Sequence, residues 1–226
     1  MKITNDPAHL HEVLAHLRGV KGNIPTHRQA SKHPYAFSAL PFKTQLEVWD
    51  ELWRTTDDFW VRLHAFFFLE RHIKKETELL AMWPVIVKWQ QQVDDWGLCD
   101  ALAKIYTKIL EVLPGPVYKQ LREWNTSKNL WKRRQSVVSL LYFSRTKKTF
   151  LLFEDIMQLI APLVPDKEYY VQKGVGWALR ECHTVYPRQT LAWLSSNIKL
   201  VSSIAFTISI EKIGADIKNK LKVARR

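Results

Sequence analysis

Two residues four positions apart, Trp96 and Asp100, have types and a spacing that could do chemistry. Residues i and i+4 share one face of a helix, so the two side chains are expected to be neighbours. Aspartate is unfavourable inside a helix. Taken alone, Asp100 is more readily explained as an exposed acid or as an ion-pair partner for Lys104 at i+4. A carboxylate beside an aromatic ring would instead suit a reaction in which positive charge develops.

The overall charge points to an acidic partner. The chain has 226 residues and a formal net charge of +12. Nucleic acid is the first candidate, because cationic side chains that neutralise phosphates supply sequence-independent affinity, and an anionic membrane surface is the second. The basic residues of the C-terminal half are Lys132, Arg133, Arg134, Arg145, Lys147, Lys148, Lys173, Arg180 and Arg188. The aromatic residues interleaved with them are Trp131, Tyr142, Tyr169, Tyr170 and Trp177. Cations with aromatic platforms suit a nucleic-acid groove, although a solvated helix face explains any single lysine.

Other catalytic patterns are missing from the sequence. It has no phosphate-binding loop, no GxSxG, no HExxH and no CxxC, and its eight histidines lack the spacing of metal ligands. We therefore expect no metal site. Cys99 and Cys182 are expected to be core residues rather than nucleophiles or a disulfide.

The cellular location can be predicted only in outline. Two cysteines suit a reducing compartment. The opening MKITNDPAHLHEV does not read as a signal peptide, and no run of eighteen apolar residues predicts a transmembrane helix. The sequence thus favours a soluble, cytoplasmic protein. If nucleic acid is its partner, we expect a monomer associated with the nucleoid.

Helical periodicity dominates the elements that would position these residues. Apolar side chains recur every three to four positions over 8–18, 42–54 and 98–113, and prolines separate such runs. Ser127 and Asp166 are expected as N-caps. Residues 203–210 fit a strand or a helix. The predicted class is all-α.

Aromatic markers suggest that the helices repeat. They fall at positions 60, 96, 131 and 170, a spacing of 35 to 39 residues that is typical of HEAT or armadillo helix pairs. Residues one repeat apart should then be neighbours, which would place Tyr170 against Trp131 and Asp100 near Arg134. The predicted architecture is one domain, 1–226, forming a HEAT-like solenoid (an α–α superhelix) with a concave basic DNA-binding groove.

Two details of the C-terminal half need a structural reason. Gly174 and Gly176 interrupt a helical pattern, at a cost of about 1 kcal/mol each, and close packing of another helix is the expected compensation. The basic segment 218–226 could be a flexible arm that adds phosphate affinity or a frayed terminus without a role.

Three sequence motifs together resemble the AlkD-like family of DNA alkylation repair glycosylases, which are built from HEAT-like repeats. Trp96-Gly-Leu-Cys-Asp100 is similar to the family's Trp-x-x-x-Asp. Trp131-Lys-Arg-Arg134 is similar to its Trp-x-x-Arg. The segment QKGVGWALRE (172–181) looks like the helix that carries the second cleft tryptophan, Trp177. The resemblance runs from about residue 28 to the C-terminus.

The resemblance implies hydrolysis of the N-glycosidic bond of N3- or N7-alkylated purines, such as 3-methyladenine and 7-methylguanine, in duplex DNA without a deep base-flipping pocket. Asp100 would be the catalytic carboxylate, Trp96 and Trp177 would hold the lesion nucleotide, and Arg134 would contact the adjacent phosphate. The predicted DNA-binding residues are Arg134, Arg133, Lys173, Arg180 and Lys148.

Two other functions are kept open. A catalytically silent relative would bind branched or damaged DNA through the same basic groove, although the presence of both Trp96 and Asp100 argues against it. A HEAT-type protein scaffold would suit the repeat and the ten tryptophans but not the clustering of basic residues.

Overall fold

The computed structural model describes residues 7–225, and all regular secondary structure in that range is helical. Thirteen α-helices and four short 3-10 helices are present there and no strand, which confirms the all-α prediction. The α-helices are α1 (Pro7–Arg18), α2 (Ile24–Ala30), α3 (Phe42–Thr55), α4 (Phe59–Arg71), α5 (Glu76–Ile86), α6 (Trp96–Val112), α7 (Pro114–Asn125), α8 (Leu130–Val138), α9 (Phe153–Ile160), α10 (Tyr169–Val185), α11 (Pro187–Asn197), α12 (Ser203–Ser209) and α13 (Ala215–Arg225). The 3-10 helices are Ala36–Ala39, Trp89–Gln92, Ser144–Thr146 and Ala161–Leu163.

The chain divides into two compact units, Met1–Val93 and Asp94–Arg226. Residues 1–6 and 226 of the predicted single domain lie outside the described residues, and its treatment as one domain stays a prediction. Every residue of the three sequence motifs lies in the second unit, which contains α6 to α13.

Polar side chains cap the first turns of α6 and α8 in the second unit. The Asp95 carboxylate accepts hydrogen bonds from the backbone N–H groups of Gly97 and Leu98, at 2.6 and 3.3 Å, and so caps α6. Asn129 caps α8 in the same way, with 2.8 Å between its Oδ1 and the Trp131 nitrogen.

The predicted caps Ser127 and Asp166 are wrong by two residues. Each accepts a hydrogen bond from the backbone two positions on, Ser127 from Asn129 at 3.2 Å and Asp166 from Glu168 at 2.8 Å. Those bonds form turns that precede α8 and α10, because short polar side chains stabilise turns as readily as helix starts.

The core of the second unit begins with the apolar face of α6. Leu102, Ile105 and Ile109 recur at helical spacing and are fully buried. The two cysteines, Cys99 and Cys182, are also fully buried, which confirms their prediction as core residues. The buried face fixes the rotation of α6 and turns Trp96 and Asp100 away from the core.

Hydrogen bonds between neighbouring helices of this unit join residues one repeat apart. Thr107 donates to the Ser139 carbonyl at 2.6 Å, and Asn125 donates to the Leu159 carbonyl at 2.9 Å. The rings of Trp131 and Tyr170 lie 5.0 Å apart. The prediction that residues about 36 positions apart become neighbours is therefore confirmed.

The C-terminal segments are helical. Residues 203–209 form α12, which settles the strand-or-helix alternative. Residues 218–225 of the predicted basic arm belong to α13, where the Arg225 side chain donates to the carbonyls of Ile198 and Val201 at 2.7 and 2.6 Å. Arg226 lies outside the described residues, and a role of this segment in phosphate binding stays a prediction.

Membrane insertion finds no support among residues 7–225, where no helix is both long and apolar enough to cross a bilayer.

Candidate active site

A solvent-open pocket of about 580 Å³ lies in the second unit and takes its walls from α6, α8, α10 and α12 with the segments that follow α8 and α12. Half of its lining residues are aromatic: Trp96, Tyr142, Phe143, Tyr169, Tyr170 and Trp177. Its charged residues are Asp100, Arg134, Lys173, Arg180 and Glu211. The pocket thus combines aromatic surfaces with both positively and negatively charged side chains.

Trp96 and Asp100 reach the pocket from the first turns of α6. Trp96 directly follows the Asp95 cap and leaves 53% of its surface exposed. Asp100 lies one turn further in, with 23% of its side chain exposed. A carboxylate so placed is shielded from most water but remains open to a ligand in the pocket.

Arg134 holds the Asp100 carboxylate. One terminal nitrogen donates to Asp100 Oδ1 at 2.7 Å, and the other donates to the Tyr170 carbonyl at 2.8 Å. The arginine is only 5% exposed, so its fork is committed to α6 and α10. The contact of Arg134 with a DNA phosphate stays a prediction. Its hydrogen bond to Asp100 gives it a further role, which is to orient the carboxylate.

Burial raises the pKa of the Asp100 carboxyl above its ordinary value, while Arg134 and, more weakly, Lys173 oppose that rise. Burial outweighs the two cations because most of the aspartate is removed from water. A carboxylate that is poorly hydrated interacts strongly with any positive charge that enters the pocket.

The glycines of α10 bring two helices close. A Cβ on Gly174 would lie 3.3 Å from Cγ of Arg134, so α10 packs against the arginine stem. A Cβ on Gly176 would lie 2.7 Å from the backbone oxygen of Ala205 in α12, closer than real Cβ contacts occur. Close helix packing is confirmed as the reason for both glycines.

An ion-pair network borders the pocket beside Trp177. Arg180 pairs with Glu211 at 2.5 Å, and its guanidinium lies 5.9 Å from the Trp177 ring. Glu181 is nearly fully buried and accepts from Lys212 at 2.6 Å. On the same face of α10, the Lys173 ammonium lies 5.3 Å from the Tyr169 ring.

Phe143 has the backbone conformation least expected for its residue type. Its φ of 46° and ψ of 68° are left-handed, and no other non-glycine residue among 7–225 has a positive φ. For a bulky side chain this conformation costs about 1–3 kcal/mol. The ring is nevertheless 52% exposed at the pocket.

The structure brings most of the sequence-predicted site residues together and leaves two out. The predicted residues that line the pocket are Trp96, Asp100, Arg134, Lys173, Trp177 and Arg180. Arg133 instead donates to Asp166 at 2.6 Å and to the Ser127 carbonyl at 2.8 Å. Lys148 is exposed, and its backbone nitrogen donates to Glu111 at 2.8 Å. DNA contacts by these two residues stay predictions.

Sequence reasoning missed Phe143, Ile208 and Glu211 as pocket residues. The repeat spacing could have indicated two of them. Phe143 lies about one repeat before Trp177, and Glu211 lies about one repeat after Arg180. Ile208 carried no such signal, since an apolar residue in an apolar run reads as core.

Within residues 7–225, no three His, Cys, Asp or Glu side chains lie close enough together to bind a metal ion. In the same range, two pairs of histidines contact each other: the rings of His16 and His33 lie 4.2 Å apart, and His27 and His64 form a buried pair with 3.1 Å between Nδ1 and Nε2. None of these histidines lines the pocket. Both pairs lie in the first unit, whereas the pocket lies in the second.

Comparisons with solved structures agree with the helical fold. The chain is similar to the crystal structure of AlkD2 from Streptococcus mutans, with 20% identity, a TM-score of 0.60, and coverage of 91% of this chain and 99% of that one. It is also similar to the crystal structure of smu.31 from Streptococcus mutans UA159, with 20% identity, a TM-score of 0.59 and the same coverage of 91% and 99%. At this identity the likeness establishes a shared helical-repeat fold. No curated protein matched the sequence.

A family model gives the identification. The model described as "DNA alkylation repair enzyme" matches residues 11–213, which is nearly the whole chain and includes every pocket residue. The chain therefore belongs to the DNA alkylation repair enzyme family.

Proposed function

We propose that this chain is a monofunctional DNA glycosylase that hydrolyses the N-glycosidic bond of N3- and N7-alkylated purines in duplex DNA. The observation that carries the proposal is the shielded Asp100 carboxylate, held by Arg134 in a pocket walled by Trp96 and Trp177. Family membership supports an enzyme that repairs alkylated DNA, and this site supports a reaction class for it.

The chemistry follows from the charge of the substrate. An N3- or N7-alkylpurine is already cationic, so its bond to the sugar breaks without protonation and the bonding electrons neutralise the ring. The deoxyribose then develops positive charge at C1′. A preorganised carboxylate stabilises that charge, and Asp100 can also orient the water that attacks C1′ and accept its proton. The products are the free base and an abasic site.

The aromatic walls support the same reaction. Faces of tryptophan attract cations, most strongly where water is displaced. Trp96 and Trp177 could therefore hold the sugar of the lesion nucleotide as it becomes positive. Neither step needs a metal or an organic cofactor.

The basic residues supply affinity for the DNA backbone. Lys173 and Arg180 line the pocket and are partly exposed, so they can reach phosphates beside the lesion. Arg134 is buried but lines the pocket, and in this proposal its main role is to position Asp100.

Release of free base tests the proposal directly. Duplex DNA methylated at N7 of guanine and N3 of adenine is incubated with the wild type and with Asp100→Asn, and the released 7-methylguanine and 3-methyladenine are quantified. The wild type should release both, and the variant should be slower by about 10²–10³. No release by the wild type above the variant would end the glycosylase proposal.

The same preparations separate the alternatives. Treatment with borohydride should trap no covalent protein–DNA complex, because a monofunctional enzyme uses water rather than Lys173 as its nucleophile. Salt-sensitive binding to damaged DNA without base release would favour the catalytically silent binder. Affinity for DNA that does not fall between about 50 and 200 mM salt would exclude phosphate contacts and favour a protein scaffold.

A further inference from the structure

Contacts between rings, rather than a hydrogen bond, set the orientation of Trp177 in the pocket. Its indole Nε1 is buried, yet it meets no hydrogen-bond acceptor within residues 7–225. The indole is instead contacted by the Tyr142 ring at 4.8 Å, the Phe143 ring at 6.1 Å and the Arg180 guanidinium at 5.9 Å. Both aromatic neighbours stand nearly perpendicular to it, at 81° and 77°. The orientation of Trp177 therefore depends on where these two rings are held.

The backbone that carries the two rings needs an anchor. Phe143 has a left-handed conformation, with φ of 46°, that is disfavoured for a bulky side chain. More than half of its ring surface is exposed, so burial returns little of that cost. A strained conformation persists only where the surrounding structure fixes it. The contacts that fix this turn must come from the residues that flank Phe143.

Glu181 on α10 anchors the residue that follows Phe143. The backbone nitrogen and the hydroxyl of Ser144 both donate to Glu181 Oε2, at 3.1 and 2.7 Å. Both residues are almost fully buried, so water competes little for these bonds. On the other side of Phe143, the Tyr142 nitrogen donates to Thr107 at the longer distance of 3.3 Å. The turn is thus clamped chiefly by one carboxylate.

The Glu181 carboxylate is charged and uses both of its oxygens. Lys212 donates to the second oxygen, Oε1, at 2.6 Å. Burial alone would raise the pKa of Glu181, but hydrogen bonds from Lys212 and Ser144 lower it below its ordinary value. The group is therefore ionised at neutral pH, and charged acceptors form the stronger hydrogen bonds. Glu181 lies four residues after Trp177, so both side chains occupy one face of α10.

We propose that Glu181 is a positioning residue for the glycosylase reaction, although it does not line the pocket. Its bonds to Ser144 hold the strained turn, and that turn keeps two aromatic rings against the Trp177 indole. The proposal rests on the glycosylase function above, because the role of Trp177 at the sugar belongs to that function. A tryptophan that is already oriented avoids the entropic cost of being ordered when DNA binds.

Two variants weaken the clamp to different degrees. Ser144→Ala removes the bond from the hydroxyl and leaves the backbone bond in place. Glu181→Gln keeps the shape of the side chain, but an amide has one acceptor oxygen and cannot serve Ser144 and Lys212 on two separate oxygens. Ser136→Ala is the matched control, because this serine is equally buried, accepts from Asn125 at 2.8 Å and does not line the pocket.

The orientation of Trp177 is measured without DNA, by fluorine NMR of protein that carries fluorinated tryptophan. Trp177→Phe identifies the resonance of this residue among the ten tryptophans. Glu181→Gln should shift that resonance, and Ser144→Ala should shift it less, because displaced aromatic rings change the ring currents at the indole. Ser136→Ala should leave it in place.

The rate of base release is measured separately, in single turnovers on duplex DNA methylated at N7 of guanine. Glu181→Gln should slow the release of 7-methylguanine about 10-fold, because a misplaced positioning group lowers the reactivity of the bound substrate. Ser136→Ala should release it at the rate of the wild type. The unfolding temperatures of all variants show whether each protein is folded at the temperature of the two measurements.

The outcomes separate this inference from the function on which it rests. A Trp177 resonance that stays in place in both clamp variants, or one that shifts without a slower release, would overturn the role of Glu181. A purely structural role would lower the unfolding temperature and leave the resonance of the folded protein unchanged. A wild type that releases no base would overturn the glycosylase, whereas a resonance that still shifts would leave Glu181 as the residue that orients Trp177.

Discussion

Arg134 on α8 donates a 2.7 Å hydrogen bond to Asp100 on α6, and the same guanidinium binds the Tyr170 carbonyl on α10. One side chain thus joins three helices that line the pocket, α6, α8 and α10. Because both bonds come from one rigid fork, any movement of α10 relative to α6 is transmitted to the Asp100 carboxylate. This linkage makes Arg134 the first residue to test.

Arg134→Lys should slow base release about 10-fold and lower the free energy of unfolding by about 1–3 kcal/mol, since a lysine cannot bind Asp100 and the Tyr170 carbonyl through a rigid fork. Single-turnover release of 7-methylguanine and urea unfolding measure the two effects. Arg122→Lys is the matched control, because Arg122 lies on α7 and does not line this pocket. Its release rate should equal that of the wild type.

The pH dependence of base release should reflect the raised pKa of Asp100. The carboxylate must be ionised to stabilise the sugar cation, so the rate should fall as the pH drops through the pKa of that group. Burial places the acid limb above the ordinary aspartate value of about 3.9. In Arg134→Lys the limb should move to higher pH, because a weaker contact opposes burial less. A limb that stays in place would remove Arg134 from the control of this pKa.

Asp100→Asn should lose activity without losing stability. A carboxyl whose pKa is raised on folding stabilises the protein most at low pH, and this contribution is lost as the pH rises through the folded-state pKa. At pH 7 the neutral amide avoids that loss, so the variant should unfold at the same or a higher temperature than the wild type. A clearly lower unfolding temperature would show that the ion pair with Arg134 contributes more than its burial costs.

Glu211→Gln should tighten binding to undamaged duplex DNA. Glu211 occupies Arg180 at 2.5 Å, in the position that a phosphate oxygen would take. Removal of that competitor should raise affinity several-fold and steepen the dependence of log K on log salt by about one unit. Glu123→Gln changes the net charge equally outside this pocket, so it reports the effect of charge alone. Equal effects of the two variants would exclude competition for Arg180.

Gly176→Ala should destabilise the protein by about 1–3 kcal/mol, because the added methyl group would overlap the backbone of Ala205. Gly115→Ala has open space around the new Cβ and should be neutral or slightly stabilising. Urea unfolding of the two variants compares the same chemical change in a packed and an unpacked helix. A similar free energy of unfolding for both would show that α12 can shift away from α10.

Much of this architecture could be predicted because it depends on periodicity. Apolar spacing located α1, α3 and α6, and the recurrence of Trp131 and Tyr170 predicted which rings would meet. The same register predicted that Asp100 and Arg134 would be neighbours, but their ion pair was not predicted. These are contacts between equivalent positions of successive repeats, and sequence spacing carries that information.

The remaining features depend on local geometry that spacing does not encode. Ser127 and Asn129 are equally good caps by type, and only the turn between them decides which one begins α8. Arg133 and Arg134 are adjacent and identical, yet a rotation of about 100° on the helix sends one to Asp166 and the other to Asp100. The left-handed backbone of Phe143 could not be predicted, because a phenylalanine rarely adopts that conformation.

The one-repeat spacing of the hydrogen bonds has a consequence for how the second unit opens. When each helix pair is bonded mainly to its neighbours, stability is close to a sum of nearest-neighbour terms, and opening proceeds inward from an end. Exchange of amide protons should then be graded along the chain, fastest near α13 and slower toward α8. Fraying from that end would release Glu211 from Arg180 before it disturbed Asp100 and Arg134. On heating, the affinity for the DNA backbone would therefore change at a lower temperature than the rate of catalysis, although both depend on residues of one pocket.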